Sequence, residues 1–267
     1  MTGPPPRLIE GLLAGPSLLS GFEWHEEIDS TNRRCLALAG EGHAEGCVVA
    51  ADLQTAGRGR QGRTWVAPAG TSLMLSILLR PRVPAETAQL LPLLVGLALA
   101  EVVEAHVPGS AVALKWPNDL LVAGRKCAGI LVESDTAGAA VAGIGLNVDW
   151  RGVERPAELA AATSLAEVTD RPVDRWRLLA GLIGVLGNRY AAWQSAPTAF
   201  LTHYRARCAT LGQRVRVRLG SGEELVGDAR DVAATGALAV QVRPGEVVAV
   251  TAGDVEHLRL SRPPARG

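Results

Sequence analysis

At 267 residues the chain has room for one large domain and a smaller second one. Hydrophobic residues at 48% and charged ones at 20% suit a chain that buries a core, which excludes disorder as its default state. Lys plus Arg and Asp plus Glu are both 27, so the basic excess of a protein that lives on nucleic acid is missing.

Residues 1–26 form a leader punctuated by proline and glycine, with one short helix expected at Arg7 to Ala14. It lacks the charged start and long apolar block of a signal peptide, and it is too short for a helix-turn-helix domain. In "EEIDSTNRRCLALA" Ser30 stands where an N-cap hydroxyl accepts an orphan amide, predicting a helix through Ala39. "GCVVAADLQ" reads as a buried strand ending at Gln54, and "TSLMLSILLRP" as another. A long helix is expected from Glu86 to about His106; its apolar window contains Pro92, Glu101 and Glu104 and reads as a core helix, not a membrane span. "AVALKWPNDLLVAGRKCAGILVES" predicts a strand, a proline break and a hairpin turning at Gly124–Arg125. "AAVAGIGLNVDW" is a further strand, and helices follow at about 173–194 and 198–207. Beyond Leu211, β-branched and polar residues alternate between turns at "GSG", "TG" and "PGE", the pattern of a small barrel of about 50 residues.

Cys35, Cys47, Cys127 and Cys208 form no CxxC pair, and His25, His43, His106, His203 and His257 are scattered, so zinc spacing is missing. Reduced thiols in a cytoplasmic protein are expected. The stretch "QTAGRGRQGRTW" (54–65) is different. Glycines 57, 59 and 62 let backbone approach a ligand, and Arg58, Arg60 and Arg63 carry forked donors for carboxylate or phosphate oxygens. Like charges so close together repel, which predicts a loop that stays loose until an anion arrives. It is not a GxxxxGK[ST] phosphate loop, since no Lys-Ser/Thr pair follows.

"STN" (30–32), "QTAGRGRQGRTW" (54–65), "KWPND" (115–119), "GRKCAGILVE" (124–133) and "GIGLNV" (143–148) resemble, in order and spacing, the motifs of biotin protein ligases. The resemblance spans roughly residues 28 to 260. It implies an α+β fold: a class II synthetase-like catalytic domain, with a mixed β-sheet and helices largely on one face, followed by a small SH3-like barrel. The expected divisions are a leader at 1–26, the catalytic domain at 27–209, the barrel at 210–261 and a tail at 262–267. Bifunctional members carry an N-terminal DNA-binding domain, and the short leader makes a monofunctional ligase without repressor activity the expectation here.

The implied substrates are biotin and ATP with Mg2+, joined as biotinoyl-5′-AMP. The implied partner is a biotin carboxyl carrier protein or domain of an acyl-CoA carboxylase, with no nucleic acid or membrane involved. A monomer or a homodimer fits equally. By resemblance Ser30, Thr31, Asn32, Gln54, Gly57, Arg58, Gly59, Arg60 and Lys126 serve biotin, with Arg60 and Lys126 catalytic. Arg63, Trp65, Lys115, Asn118 and Asn147 serve ATP. No protein-held metal is expected, Asp119 being the weak candidate. Each residue has a plainer reading beside this one: Ser30 as an N-cap, Trp65 and Trp116 as core filler, Asp119 as a turn residue, Lys126 as a solvated hairpin lysine, Asn147 as a turn cap. A lipoate–protein ligase is the nearest rival, although its RRxSGGG stretch is missing; a nucleic-acid module using the arginine loop is another, disfavoured by zero net charge and few aromatics.

Overall fold

The computed structural model describes residues 3–258. The tail expected at 262–267 and the barrel's last positions, 259–261, lie outside the described residues. Helix α1 (Pro6–Ala14) lays Leu8, Ile9 and Leu12 against the core. Strand β1 (Gly21–Ile28), helix α2 (Thr31–Gly40) and strand β2 (Cys47–Gln54) follow, with β1 and β2 paired in parallel from Gly21↔Cys47 to Ile28↔Gln54. The division expected after residue 26 therefore cuts through a hydrogen-bonded strand, and the end of the leader belongs to the sheet. β1 is an edge strand, so Glu23, His25, Glu26 and Glu27 are tolerated on it and mask the alternation that marks a strand.

β3 (Ser72–Leu79) is joined through α3 (Ala85–Ala88) and α4 (Leu91–His106) to β4 (Val112–Lys115). β4, β5 (Asp119–Val122), β6 (Arg125–Ser134) and β7 (Ala140–Asn147) form successive antiparallel pairs. The sheet order is β1-β2-β3-β7-β6-β5-β4. "WPN" is the turn between β4 and β5, where Lys115 faces Asp119 across the pair. Ala123 and Gly124, both at positive φ, turn β5 into β6.

α5 (Leu165–Thr169), α6 (Arg175–Ser195) and α7 (Leu201–Arg207) complete this unit. β8 (Arg214–Arg218), β9 (Glu224–Val232), β10 (Leu238–Arg243), β11 (Glu246–Val250) and β12 (Asp254–His257) make an antiparallel sheet in the order β11-β10-β9-β8-β12. This is the small all-β unit foreseen beyond Leu211, with β11 and β12 as its edges. Trp116 is buried and its Nε1 donates to Gly236 O at 2.9 Å, which fastens the two units together.

The period of two along the central strands separates two chemistries. Ile77 and Leu79 of β3 and Ala140, Ala142, Ile144 and Leu146 of β7 join the large core under α4 and α6. Leu78 and Val141 point the other way, into a smaller cluster with Cys35 and Leu38 of α2. That second face continues from apolar to small and polar residues, Ser76, Gly143 and Gly145, and the candidate site forms there. The Ala85–His106 stretch that holds α3 and α4 is long and apolar enough to cross a membrane, but the side chains of α4 are spent against the sheet, α6 and α7. Arg175, at the start of α6, is 8% exposed, sits over the rings of Trp24 and Trp176 at 5.4 and 4.6 Å, and pairs with Asp52 at 2.5 Å, locking the end of β2.

Leu94 of α4 is fully buried, whereas Val247 of β11 is 56% exposed. Leu94→Ala should cost about 2–5 kcal/mol, and Val247→Ala less than about 0.5 kcal/mol. Urea unfolding midpoints read the difference, and equal midpoints would contradict this account of the core.

Candidate active site

The arginine-glycine stretch folds into a tight hairpin. Arg58 and Thr64 form an antiparallel bridge, Gly59 N donates to Arg63 O at 2.7 Å, and Trp65 N donates to Gly57 O at 3.0 Å. At its tip Gln61 and Gly62 take left-handed φ values of 54° and 72°. Self-repulsion suggests a loose loop, but here the three cations are drawn apart by three different partners. Arg58 pairs with Glu133 of β6 at 3.0 Å. Arg60 donates to Asn118 Oδ1 at 3.3 Å and to Gly253 O at 3.4 Å. Arg63 pairs with Asp254 of β12. Burial pushes the Arg60 guanidinium below its ordinary value, opposed by Asp119 and Asp254. Burial works against the Asp254 carboxylate, but the hydrogen bond from Arg63 together with the charges of Arg63, Lys115 and Arg218 holds the acid below its usual range.

The floor of the cavity is strand backbone at Gly129, Gly143 and Gly145. These glycines are gaps for neighbours. A Cβ on Gly143 would lie 2.0 Å from Asn32 Oδ1, and one on Gly145 would lie 2.2 Å from the Trp65 ring. Trp65 thus lies flat across β6 and β7, with Lys126 Nζ 5.8 Å from its ring centre. At the polar end, Gln54 Oε1 accepts from Thr31 N at 2.8 Å and from Thr31 Oγ1 at 3.1 Å. Ser76 Oγ donates to Asn32 Oδ1 at 2.6 Å and lies 2.8 Å from Thr31 Oγ1.

Three cavities meet at Lys126 and Arg63, which line all of them. The first is the cavity over the glycine floor. The second is a groove against the C-terminal sheet that also carries Lys115, Arg125, Arg214, Arg216 and Arg218. The third lies between Trp65, Trp150 and Asn147, where Trp65 Nε1 and Asn147 Oδ1 are buried without hydrogen-bond partners. Lys126 Nζ is 2.7 Å from Asp119 Oδ1, an ion pair that lacks hydrogen-bond geometry. All four cysteines are free and buried, and burial raises each thiol, Cys35 to about 12.

The structure brings Ser30, Thr31, Gln54, Arg58, Gly59, Arg60, Arg63, Trp65, Asn118, Asp119 and Lys126 to the first cavity. Ser30 does double duty, lining the cavity while its hydroxyl caps α2 through Arg33 N at 3.5 Å. Four of the residues singled out in the sequence do not line this first cavity, and two of them, Lys115 and Asn147, were expected at ATP. Asn32 stands behind the wall, its amide committed to Ser76, Leu131 O and Glu133. Gly57 is packed on the Trp65 backbone, which a Cβ would approach to 2.4 Å. Lys115 faces the cationic groove, and Asn147 the Trp150 cavity. Asn118 has both ends of its amide occupied, by Arg60 and by Ile130 O at 2.9 Å. Sequence reasoning missed Glu133, Asp254 and the floor glycines. Glycines at every second position of "GIGLN" were a readable sign of a close approach on one strand face; nothing local marks Asp254, whose partner is 191 residues away.

Residues 24–149 match the Biotin/lipoate A/B protein ligase family, and residues 210–258 match the Biotin protein ligase C terminal domain. A biotin–[acetyl-CoA-carboxylase] ligase of Mycobacterium tuberculosis is 40% identical over 264 residues, covering 95% of this chain and 97% of that one. One from Paracoccus denitrificans is 36% identical over 209 residues, covering 73% and 84%. The crystal structure of biotin protein ligase from Aquifex aeolicus in complex with biotin and ATP superposes with a TM-score of 0.78 at 28% identity, covering 91% of this chain and 100% of that one. With this likeness running through both units and the ordered motifs folded around one junction, the chain belongs to the biotin protein ligase family.

Proposed function

We propose that the protein activates biotin with ATP as biotinoyl-5′-adenylate and passes the biotinoyl group to a lysine of a biotin carboxyl carrier protein or domain of an acyl-CoA carboxylase. The observation that carries this reading is the meeting of three dissimilar cavities at Lys126 and Arg63. An acyl-adenylate reaction needs such a junction, because the acid, the ribose of adenosine and the departing pyrophosphate all meet at one phosphorus atom. The glycine-floored cavity takes biotin, with Ser30, Thr31 and Gln54 at its polar end. The Trp65–Trp150 cavity takes adenine, whose ring nitrogens and amino group complement the unpartnered Trp65 Nε1 and Asn147 Oδ1. The cationic groove takes the distal phosphates, beside Arg63 and Lys115.

In the first step a biotin carboxylate oxygen attacks the α-phosphorus, the bond to the β-phosphate breaks, and pyrophosphate leaves with the electron pair. Two anions must approach each other. Lys126 and Arg60 reduce their repulsion and stabilise the charge that develops, each such donor being worth about 2.7–4 kcal/mol in preorganised sites. In the second step the carrier's amine attacks the acyl carbon and AMP departs. Neither step needs an enzyme nucleophile, consistent with the buried, protonated thiols. The hairpin lies over the mixed anhydride and keeps water from it. Magnesium arrives with ATP as part of the substrate. Asp119 is engaged by Lys126, and among the described residues no group of three His, Cys, Asp or Glu side chains is gathered to hold an ion. The need for ATP and for the carboxylase partner supports a cytoplasmic setting for the reaction.

Incubation with ATP and either biotin or lipoate tests the reading: pyrophosphate release should follow biotin, and release with lipoate alone would overturn it. In the same assay Lys126→Ala, a half-exposed side chain whose loss should leave the fold intact, should lower the rate by about 10²–10³; full activity would show that another group manages the charge. Gly145→Ala puts a Cβ into the space of the Trp65 ring. The KM for ATP should rise roughly tenfold or more, as overpacking of about 1–3 kcal/mol implies. An unchanged KM for ATP would contradict the placement of the base.

A further inference from the structure

Glu133 ends the motif "GILVE" and takes no part in the chemistry described above. It lies on the site face of β6, two and four residues beyond Leu131 and Gly129, both of which line the first cavity. Its side chain is 20% exposed and receives two donors from opposite directions. Asn32 Nδ2, from the first turn of α2, donates to Oε2 at 2.8 Å, and Arg58 Nη2, from the hairpin, lies 3.0 Å from Oε1. Asn32 is 4% exposed and reaches this position only because Gly143 has no Cβ. The contacts then continue through Ser76 and Thr31 to Gln54 at the polar end of the cavity. One carboxylate therefore joins the cationic hairpin to the buried polar network behind the cavity wall.

We propose that Glu133 is a positioning residue: its carboxylate holds Arg58 over the cavity in the absence of a substrate anion and fixes the orientation of the Asn32 amide that supports Thr31 and Gln54. This rests on the biotin-ligase reading of the cavity and adds to it a residue that touches no substrate. The two halves rest on different physics. The Arg58–Glu133 pair is half-exposed, so it is weak, screened by salt and exchangeable for a ligand carboxylate. The Asn32–Glu133 bond is part-buried with its donor residue 4% exposed, and losing it leaves the Asn32 amide only its long contact to Leu131 O at 3.4 Å. Glu133→Gln separates them, because the amide oxygen still accepts from Asn32 while the charge opposite Arg58 is gone.

Trypsin cleavage after Arg58, Arg60 and Arg63 in the empty protein reads the first half. Glu133→Gln should be cut about two- to fivefold faster than the parent, the factor expected for a half-exposed pair. Salt near 1 M should bring the parent up to the same rate without further effect on the variant. Equal cleavage of parent and variant at low salt would overturn the holding role. Steady-state kinetics read the second half: Glu133→Ala should raise the KM for biotin about tenfold beyond the effect of Glu133→Gln, with kcat held. Equal KM values for the two variants, or a fall in kcat alone, would overturn the orienting role. Should Glu133→Ala fail to fold, the biotin KM of Glu133→Gln decides, a rise beyond about fivefold contradicting retention of the Asn32 bond. Failure of the parent to adenylate biotin would defeat the biotin reading, and the trypsin comparison would still decide whether Glu133 holds Arg58.

Discussion

Three guanidinium groups within six residues must be kept close to one cavity without being driven apart by their own charge. Two unit charges 4 Å apart repel by about 4 kcal/mol where the effective dielectric constant is near 20, as it is at a protein surface. The fold meets this constraint by giving each arginine a partner from a different part of the chain. Glu133 comes from β6, Asn118 from the turn after β4, and Gly253 and Asp254 from the edge of the C-terminal sheet. The hairpin is thereby tied to both structural units at once. Its carboxylate partners are exposed enough to yield to substrate oxygens, so the same charges that order the empty hairpin are available to an anionic ligand.

The sheet supplies the remaining geometry through its period of two. On one face of β7, Ile144 and Leu146 seal the core beneath α4; on the other, Gly143 and Gly145 leave room for an amide and an indole. A single strand thus serves as core wall and as cavity floor. Rigidity on the helical side matters for the chemistry, because the α-phosphorus, carboxylate and cations must meet within a few tenths of an ångström for proximity to lower the barrier. The Asp52–Arg175 pair extends that rigidity to the end of β2, two residues before Gln54.

Much of this was legible in the sequence, and the limits follow from range. β2, β3, β7, α2 and the helices around 91–106 and 175–195 announce themselves because each buries a continuous or periodic set of side chains. β1 does not, since an edge strand needs few apolar residues and Glu23 and His25 break its pattern. The arginines and glycines of the hairpin suggest an anion site or a solvated surface loop equally, and the ordered motifs around them tip the reading to the former. The hairpin's partners were not readable: Glu133 and Asp254 look like ordinary surface acids until the fold brings them to Arg58 and Arg63. Asn32 and Gly57 sit in readable motifs, and their packing against Glu133 and the Trp65 backbone was not readable there.

A family of reactions that activates an acid as its adenylate requires no covalent enzyme intermediate, and the buried thiols of this chain offer none. What the protein contributes is a junction lined with cations and, on the proposed reading, a cover that exchanges its own acids for those of the substrate. Amide hydrogen exchange across residues 57–65, in the empty protein and after incubation with biotin and MgATP, measures that exchange of partners directly. The account predicts at least tenfold slower exchange in the loaded protein, as the arginines pass from their partly exposed protein partners to an enclosed acyl-phosphate. Identical exchange in the two states would contradict it.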